Sequence, residues 1–367
     1  MIRLSAPDIG EEELQGIKSV LDSGWLVQGN MVREFEAKAA DYLNVPFAVA
    51  VSSGTAALHL ALLALGLGSG DEVVVPDFTF PATANTVEIC GAKTVLCDIA
   101  MDTYCMDTNL LEKCITEKTR AILPVHEFGH SADMDPIMKL AENYGLFVIE
   151  DAACAFGAEY KGRKAGTIGD IGCFSFHPRK AITTGEGGMA VTSDPVLAKK
   201  LRQLRNHGMA ESETGKAFVS AGLNYRMTDL QGAMGIAQIS KVEKIIRKRR
   251  ELGEEYNQLL GGQEELTIPT CKPFCRHIYQ TYHVLLNEYT DRDGLIRLLR
   301  QRGIETNMGA YALDRQPYYK EKYGLSGDGY GNADRAFERG LALPLHTGLC
   351  EKDIKTVASE LLGMIRR

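Results

Sequence analysis

The strongest constraint on the fold is an alternation of short apolar runs with helical patterns along roughly the first two thirds of the chain. The apolar runs predict strands at residues 47–51, 72–75, 93–98, 121–125 and 146–151, and the patterns between them predict helices, for example at 55–65 and 133–144. Strands that alternate with helices are typical of a mostly parallel sheet with helices on both faces. The sequence therefore predicts an α/β fold built on such a sheet.

The pattern changes near residue 228, where a long, charged amphipathic helix begins and runs toward residue 256. A strand at 280–286 and a helix at 291–302 follow it, which predicts a smaller α+β domain. We expect a large domain over residues 1–240, with an N-terminal segment free to pack elsewhere, and a small C-terminal domain over 241–367. The glycine-rich stretch 324–331 is predicted to be a surface loop.

Composition excludes several classes of partner. The chain is 45% hydrophobic and 24% charged with a net charge of −7, which is ordinary for a globular protein. One basic run, Arg-Lys-Arg-Arg at 247–250, lies among glutamates in the long helix, so we expect a solvated mixed-charge face and no nucleic-acid partner. No run is apolar enough to span a membrane and no basic leader precedes an apolar segment, so no membrane partner is expected. The nine cysteines lack zinc or disulfide spacing, which favours reduced thiols in a cytoplasmic protein without a metal site.

Three segments with chemical potential fall at predicted strand ends, where ligands of such sheets bind. Residues 52–56 (Ser-Ser-Gly-Thr-Ala) turn from a strand into a helix and suit an anion, although a plain helix cap is the alternative. Asp151 ends the strand at 146–151 and is a candidate metal ligand, helix cap or partner of a protonated ring nitrogen. Lys180 follows an apolar segment and is flanked by hydroxyls and glycines, so it is either a surface lysine or an imine-forming amine whose pKa is lowered by burial.

Taken together, these segments resemble the nucleotide-sugar aminotransferases of the DegT–DnrJ–StrS group, which have the aspartate-aminotransferase fold type with a seven-stranded type of sheet. The resemblance covers nearly the whole chain, in the same order. It is carried by Ser23-Gly24-Trp25, Ser53-Gly54-Thr55, Thr79-Phe80 with Ala82-Thr83-Ala84-Asn85, Pro124-Val125-His126 with Gly129 and Ala132-Asp133-Met134, Glu150-Asp151-Ala152-Ala153, Ser175-Phe176-His177 with Lys180 and residues 185–188, and Gly222-Leu223-Asn224-Tyr225-Arg226-Met227.

The resemblance implies pyridoxal 5'-phosphate as the cofactor. Lys180 matches the lysine that forms the internal Schiff base, and Asp151 matches the acid that keeps the ring nitrogen protonated so that the ring acts as an electron sink. Phe80 matches the aromatic residue that stacks on the ring, with core packing as the alternative role.

The resemblance also implies how the cofactor's phosphate is bound. Backbone N–H groups near Thr55 and Ala56 and the Ser175 hydroxyl would contact it, together with an asparagine from the neighbouring subunit at the position of Asn224. The expected assembly is a homodimer with shared active sites.

One residue departs from the family pattern. The family usually has glutamine or histidine three residues after the aspartate, close to the ring oxygen of the cofactor, and this chain has Cys154. A thiol is a weak hydrogen-bond partner. The departure places the contact to the ring oxygen in doubt, or assigns it to another group, without changing the reaction class.

The activity that the resemblance implies is transfer of an amino group from L-glutamate to a nucleotide-linked keto-sugar. Ile182-Thr183-Thr184 and Glu186-Gly187-Gly188 resemble the versions that act on 4-keto-6-deoxy sugars, whereas enzymes acting on carbon 3 more often have Gly-Asp-Gly-Gly. A 3-keto-sugar or keto-cyclitol aminotransferase remains an alternative. A dehydratase of this fold lacks the lysine, and a non-enzymatic cofactor-binding regulator has no support from an appended basic helix-turn-helix pattern.

Overall fold

The computed structural model describes residues 1–212, 215–325 and 330–366. Its α-helices are α1 (Glu11–Ser23), α2 (Asn30–Leu43), α3 (Gly54–Leu65), α4 (Ala82–Ile89), α5 (Thr108–Leu111), α6 (Met134–Tyr144), α7 (Pro195–Arg205), α8 (Asp229–Leu260), α9 (Arg292–Gln301), α10 (Pro317–Tyr323), α11 (Gly331–Arg339) and α12 (Glu351–Ile365). Its strands are β1 (Phe47–Val51), β2 (Glu72–Pro76), β3 (Phe78–Thr79), β4 (Lys93–Cys97), β5 (Thr119–Ile122), β6 (Phe147–Asp151), β7 (Glu159–Tyr160), β8 (Arg163–Lys164), β9 (Ile171–Ser175), β10 (Gly188–Thr192), β11 (Met209–Ser212), β12 (Gly215–Phe218), β13 (Leu266–Thr267), β14 (Cys275–Arg276), β15 (Tyr282–Leu286), β16 (Tyr311–Ala312) and β17 (Gly340–Leu343).

The largest sheet within the described residues has seven strands in the order β1-β10-β9-β6-β5-β2-β4. β9, β6, β5, β2 and β4 pair in parallel, whereas β10 runs antiparallel to both of its neighbours. The mostly parallel α/β sheet predicted from the sequence is therefore confirmed. The ends of the predicted strands agree within three residues, and those of β1 agree at both ends.

Helices cover both faces of this sheet, because its strands are apolar on each side. One core lies between the sheet and α3, α4 and α7, and it includes Leu60, Ala61, Val73 and Ile149. The other core joins the sheet to α2 and the first half of α8 through side chains such as Phe35, Phe174 and Ile246. The helix α3 has apolar residues on nearly its whole circumference, as is typical of a buried helix.

A second, smaller group of elements follows the large sheet. The antiparallel strands β13, β15 and β17 pack with α9, α12 and the second half of α8 around Leu252, Tyr256 and Leu361. The N-terminal segment lies here too, since Ile2 pairs with Ile304 and the Leu4 carbonyl accepts a hydrogen bond from the Leu345 N–H. The division into domains at residue 240 stays a prediction, and that position falls inside α8.

One prediction for the long helix is wrong. The basic run 247–250 does not lie wholly on a solvated face, because Arg249 is buried and donates hydrogen bonds to the carbonyls of Tyr279, Gln280 and Leu345. Three converging carbonyl oxygens replace the water that a guanidinium normally keeps. Residues 326–329 of the predicted loop at 324–331 lie outside the described residues.

The described cysteines are all free thiols. Within the described ranges, no helix is long and apolar enough to cross a membrane. No group of three or more metal-ligating side chains is found in the same ranges.

Candidate active site

Several of the predicted site residues lie together at one edge of the large sheet. The carboxyl ends of β1, β6 and β9 bring Ser53, Asp151 and Ser175 to this edge, and β10 begins beside them because Gly188 pairs with both Val51 and Ser175. Parallel strands that end together create a crevice where ligands bind. The segments singled out in the sequence therefore face a common space.

Lys180 lies in the turn that follows β9, where its N–H donates to the His177 carbonyl at 2.8 Å. Its side chain points to the end of β6, and the distance from Lys180 Nζ to Cys154 Sγ is 3.0 Å. The expectation of a net lowered pKa for Lys180 is wrong. Burial does act in that direction, but Cys154, Asp151 and Glu127 raise the pKa above its ordinary value.

Asp151 is buried at the end of β6 and is held by two hydrogen bonds. Its Oδ2 accepts from the Thr83 hydroxyl at 2.8 Å, and its Oδ1 accepts from the Ala153 N–H at 3.1 Å. Burial raises the pKa of this carboxyl, and Thr83, the Ala153 N–H and the charge of Lys180 oppose that rise. An acid so fixed suits a partner that carries a proton, because a facing cation favours the carboxylate form.

The residue before it, Glu150, anchors the strand end on the opposite face. Glu150 accepts hydrogen bonds from His126 Nε2 at 2.8 Å and from the N–H groups of Gly166, Ile168 and Gly169 at 2.8, 2.5 and 2.6 Å. His126 Nδ1 accepts from the Ala132 N–H at 3.0 Å, which places the imidazole proton on Nε2. The pKa of Glu150 is lowered although burial alone would raise it, because His126 and these N–H groups stabilise the carboxylate.

The turn after β1 forms a cradle of small residues. A Cβ on Gly54 would lie 2.8 Å from the Cβ of Ser175, so only glycine allows the first turn of α3 to approach β9 this closely. Ser53 caps α3 by accepting the Ala56 N–H at 3.1 Å, and its carbonyl accepts the Ala57 N–H. Thr55 is exposed, and no hydrogen bond of its N–H is found within the described residues. The Ala56 N–H is thus engaged in this structure, whereas Thr55 presents a donor at the positive end of α3.

Phe80 and Asn224 lie at the rim of the site. The Phe80 ring is 65% exposed and its described ring contact is Tyr311, so the alternative of core packing is wrong for this side chain. Asn224 is exposed in the loop before α8, where its backbone bridges to Asn206. The structure does not bring Asn224 next to Lys180 of the same chain, and its predicted role in the partner subunit's site stays a prediction.

Sequence reasoning missed two residues that belong to the site. Thr83 lies within a motif that signalled the family, but nothing in the sequence indicated that its hydroxyl contacts Asp151. Glu127 follows the quoted Pro124-Val125-His126, and it is a buried acid whose charge is felt by Lys180. These contacts are visible only in the folded chain, where the first turn of α4 and the turn at Glu127 lie beside the segment that follows β6.

The residues present fit pyridoxal phosphate. An amine, a buried acid and a helix N-terminus with an adjacent hydroxyl are the groups that a cofactor with an aldehyde, a ring nitrogen and a phosphate requires. The close contact of Gly54 with Ser175 places the exposed N-terminal turn of α3 next to the Ser175 hydroxyl. Lys180, Asp151 and the Thr55–Ser175 region would hold these three parts of the cofactor.

Comparisons with known proteins agree with this arrangement. A GDP-perosamine synthase from Caulobacter vibrioides is 42% identical over 364 residues, covering 98% of this chain and 97% of that protein. The crystal structure of DesV from S. venezuelae in complex with a ketimine intermediate matches with a TM-score of 0.92 at 35% identity, covering 97% of this chain and 95% of the other. The PLP-form of the putative sugar aminotransferase Spr1654 from Streptococcus pneumoniae matches with a TM-score of 0.93 at 29% identity, over 99% and 98% of the two chains.

The fold, the candidate site and the comparisons place this chain in the class of pyridoxal-phosphate-dependent aminotransferases of fold type I. Within this class, the model of the DegT/DnrJ/EryC1/StrS aminotransferase family matches residues 7–362. The chain belongs to that family.

Proposed function

We propose that this enzyme transfers the amino group of L-glutamate to a nucleotide-linked keto-sugar, with carbon 4 of a 4-keto-6-deoxy sugar as the acceptor. The observation that carries the proposal is the convergence of Lys180, Cys154 and the buried Asp151 at the sheet edge that also carries the anion cradle. The relative named GDP-perosamine synthase, 42% identical, supports a sugar nucleotide as the acceptor.

When bound, pyridoxal phosphate supplies a ring that takes up the electron pair left on a carbon that has lost its proton. In this proposal, Lys180 Nζ would take the proton from the α-carbon of the amino donor and hold it for return. The same nitrogen performs these steps in reverse order on the keto-sugar, since one amine can accept and return a proton without leaving the site. Asp151 holds a proton on the ring nitrogen, and Thr83 holds Asp151 in place.

The raised pKa of Lys180 has a consequence for how the site is loaded. An ammonium cannot attack an aldehyde, so the acids that raise the pKa of Lys180 oppose the proton loss that attachment of the cofactor requires. A proton must therefore leave Lys180 before the cofactor is attached. The carboxyls of Asp151 and Glu127 and the thiol of Cys154 interact with the charge on Lys180, so their own pKa values change when that charge is lost.

The preference for carbon 4 rests on Ile182-Thr183-Thr184 and Glu186-Gly187-Gly188. The Thr183 hydroxyl donates to the Phe176 carbonyl at 2.8 Å and the Thr184 hydroxyl donates to the Glu186 carbonyl at 2.7 Å. These bonds fold the segment back on β9 directly after Lys180. The alternative acceptors are a 3-keto-sugar nucleotide and a keto-cyclitol.

The proposal is tested in two steps. The purified protein is first loaded with pyridoxal phosphate, and its visible absorption band is followed after L-glutamate alone is added. Loss of the band with formation of pyridoxamine phosphate and 2-oxoglutarate establishes the first half-reaction. A panel of 4-keto-6-deoxy and 3-keto sugar nucleotides and of keto-cyclitols is then screened for return of the band, with products identified by mass spectrometry.

Variants of two lysines decide the role of Lys180. We expect Lys180→Ala to show no band of its own and to lose activity by at least about 10²-fold, because both the attachment point and the proton carrier are removed. Lys139→Ala, an exposed residue of α6, is the matched control and should behave as wild type. An unchanged band in Lys180→Ala would overturn the assignment. A wild-type protein that neither forms the band nor responds to an amino donor would overturn the transaminase function.

A further inference from the structure

Glu127 is a buried acid that the proposed function does not use. It begins a 3₁₀ turn, Glu127–Gly129, a few residues after β5, and its side chain is 4% exposed. The next residue, Phe128, has φ of 54°, a left-handed conformation that few residues other than glycine adopt. The backbone therefore accepts an uncommon conformation at the point where it buries this carboxyl.

The turn is attached to the end of β6, which carries Asp151. Val125 bridges to Asp151, and the His126 N–H donates to the Asp151 carbonyl at 3.0 Å. Gly129 lies so close to Cys154 that a Cβ on Gly129 would be 3.2 Å from the Cys154 carbonyl oxygen. The segment 126–129 thus packs along 151–154 and holds Glu127 beside the residues that Lys180 contacts.

The charges around Glu127 are few and can be named. The ionisable groups that face it are Lys180, Asp151, Cys154 and Cys105. Within the described residues no basic side chain forms an ion pair with Glu127 within 4 Å. Burial raises the pKa of Glu127 to about 8, while the charge of Lys180 opposes the rise. The carboxyl is therefore mainly neutral at pH 7 and becomes charged slightly above it.

We propose that Glu127 is a positioning residue of this active site, whose buried carboxyl regulates the charge on Lys180 and on the adjacent Cys154. A thiol is a weak hydrogen-bond partner. A carboxyl, by contrast, can donate a hydrogen bond when it is neutral and carries a full charge when it is ionised. Above neutral pH the ionised Glu127 stabilises the cation on Lys180 Nζ and opposes formation of a thiolate on Cys154. This inference rests on the proposed function, in which Lys180 is the attachment point of the cofactor and the proton carrier.

The first test uses the cofactor-free protein and does not measure activity. The rate at which iodoacetamide alkylates Cys154 is followed against pH, with the Cys154 peptide quantified by mass spectrometry. Glu127→Gln keeps the shape of the side chain but cannot ionise. We expect its alkylation midpoint to lie about 1 pH unit below that of wild type, because the opposing negative charge is gone.

The second test uses the cofactor-loaded protein. The pH at which its visible band changes reports loss of the proton from the Lys180 nitrogen, and Glu127→Gln should lower this midpoint by about 1 pH unit. Glu127→Asp keeps a carboxyl and should lie closer to wild type than Glu127→Gln in both titrations. Glu142→Gln, on the exposed face of α6, is the control and should move neither midpoint.

The outcomes separate this inference from the function on which it rests. Unchanged midpoints in Glu127→Gln overturn the role of Glu127, even if the variant is less stable, because a purely structural residue would alter unfolding without shifting a titration. Absence of the visible band in wild type instead overturns the role of Lys180. The alkylation midpoint in the cofactor-free protein still decides the influence of Glu127 in that case.

Discussion

Glu150 and Asp77 are both carboxylates buried where a parallel strand ends, and their surroundings differ. Glu150 receives hydrogen bonds from His126 and three backbone N–H groups, and its pKa is lowered. Asp77 follows β2 and accepts one bond, from the Asp314 N–H at 2.8 Å, while its other oxygen and both Asp314 carboxyl oxygens have no partner within the described residues.

Burial and the adjacent Asp314 raise the pKa of Asp77 to about 9. The comparison teaches that burial alone does not decide whether an acid is charged; the number of donors aimed at it does. Asp151 lies between these extremes, with two donors and a facing lysine. The site thus uses an acid whose charge depends on what occupies the crevice.

The largest expected effect comes from removing the fully bonded acid. Glu150→Leu leaves three N–H groups and His126 without their acceptor, so we expect the free energy of unfolding to fall by about 3–5 kcal/mol. Urea unfolding followed by circular dichroism measures it. Glu142→Gln, an exposed acid, should change the value by less than about 0.5 kcal/mol. A loss below about 1 kcal/mol for Glu150→Leu would show that the network is not a major source of stability.

A smaller effect of opposite sign is expected at the poorly bonded acid. The pKa of Asp77 rises from 3.8 to about 9 on folding, so the stability it contributes is complete below pH 3.8 and is lost as the pH rises toward 9. Asp77→Asn cannot ionise and supplies a donor to Asp314, and we expect it to be more stable than wild type by about 1–3 kcal/mol at pH 8.

The measurement is urea unfolding of wild type and Asp77→Asn at several pH values between 5 and 8. The excess stability of the variant should shrink as the pH falls. Asp135→Asn, in an exposed ion pair with Lys161, is the control and should not alter the slope in this way. Parallel stability curves for wild type and Asp77→Asn would contradict the raised pKa of Asp77.

The smallest effect concerns the intermediate case, Asp151. Thr83→Val removes one of its two donors, which should raise its pKa further, lower kcat/KM for the glutamate half-reaction about ten-fold and destabilise the fold by about 1 kcal/mol. Thr83→Ser retains the hydroxyl and should stay near wild type. Equal activity of the Thr83→Val and Thr83→Ser variants would show that the Thr83 hydroxyl does not contribute to the reaction.

The fold and the main site residues could be predicted from the sequence because they follow directly from its periodicity and local motifs. The alternation of strands and helices predicted β1, β2, β4, β5 and β6, and the strand ends led to Asp151 and Lys180. The antiparallel direction of β10 was not predicted, since the direction of a strand depends on a connection through a long turn. The burial of Arg249 could have been predicted from its spacing. Arg249 lies four residues after Ile245 and three before Leu252, which places it on the buried face of α8.

Electrostatics at the site could not be predicted in the same way. The pKa of Lys180 depends on Asp151 and Cys154, which share one segment, and on Glu127 from another, and these groups meet Lys180 only after the sheet is formed. Burial lowers the pKa of an isolated lysine, and the sequence gives no count of the acids that will face it. The hydrogen bond between Thr83 and Asp151 joins residues 68 positions apart and was invisible for the same reason.

The continuity of α8 limits how this enzyme can be recombined with its relatives. Its 32 residues contribute Val242 and Ile246 to the core under the large sheet and Leu252 and Tyr256 to the core around β15. A chimera that exchanges C-terminal regions at residue 240 would join two half-helices from different parents and would pack Val242 and Ile246 against a large-sheet core from the other parent. A crossover at Gly261 and Gly262, just after α8 ends, keeps the whole helix with one parent and is the better junction for swapping specificity between family members.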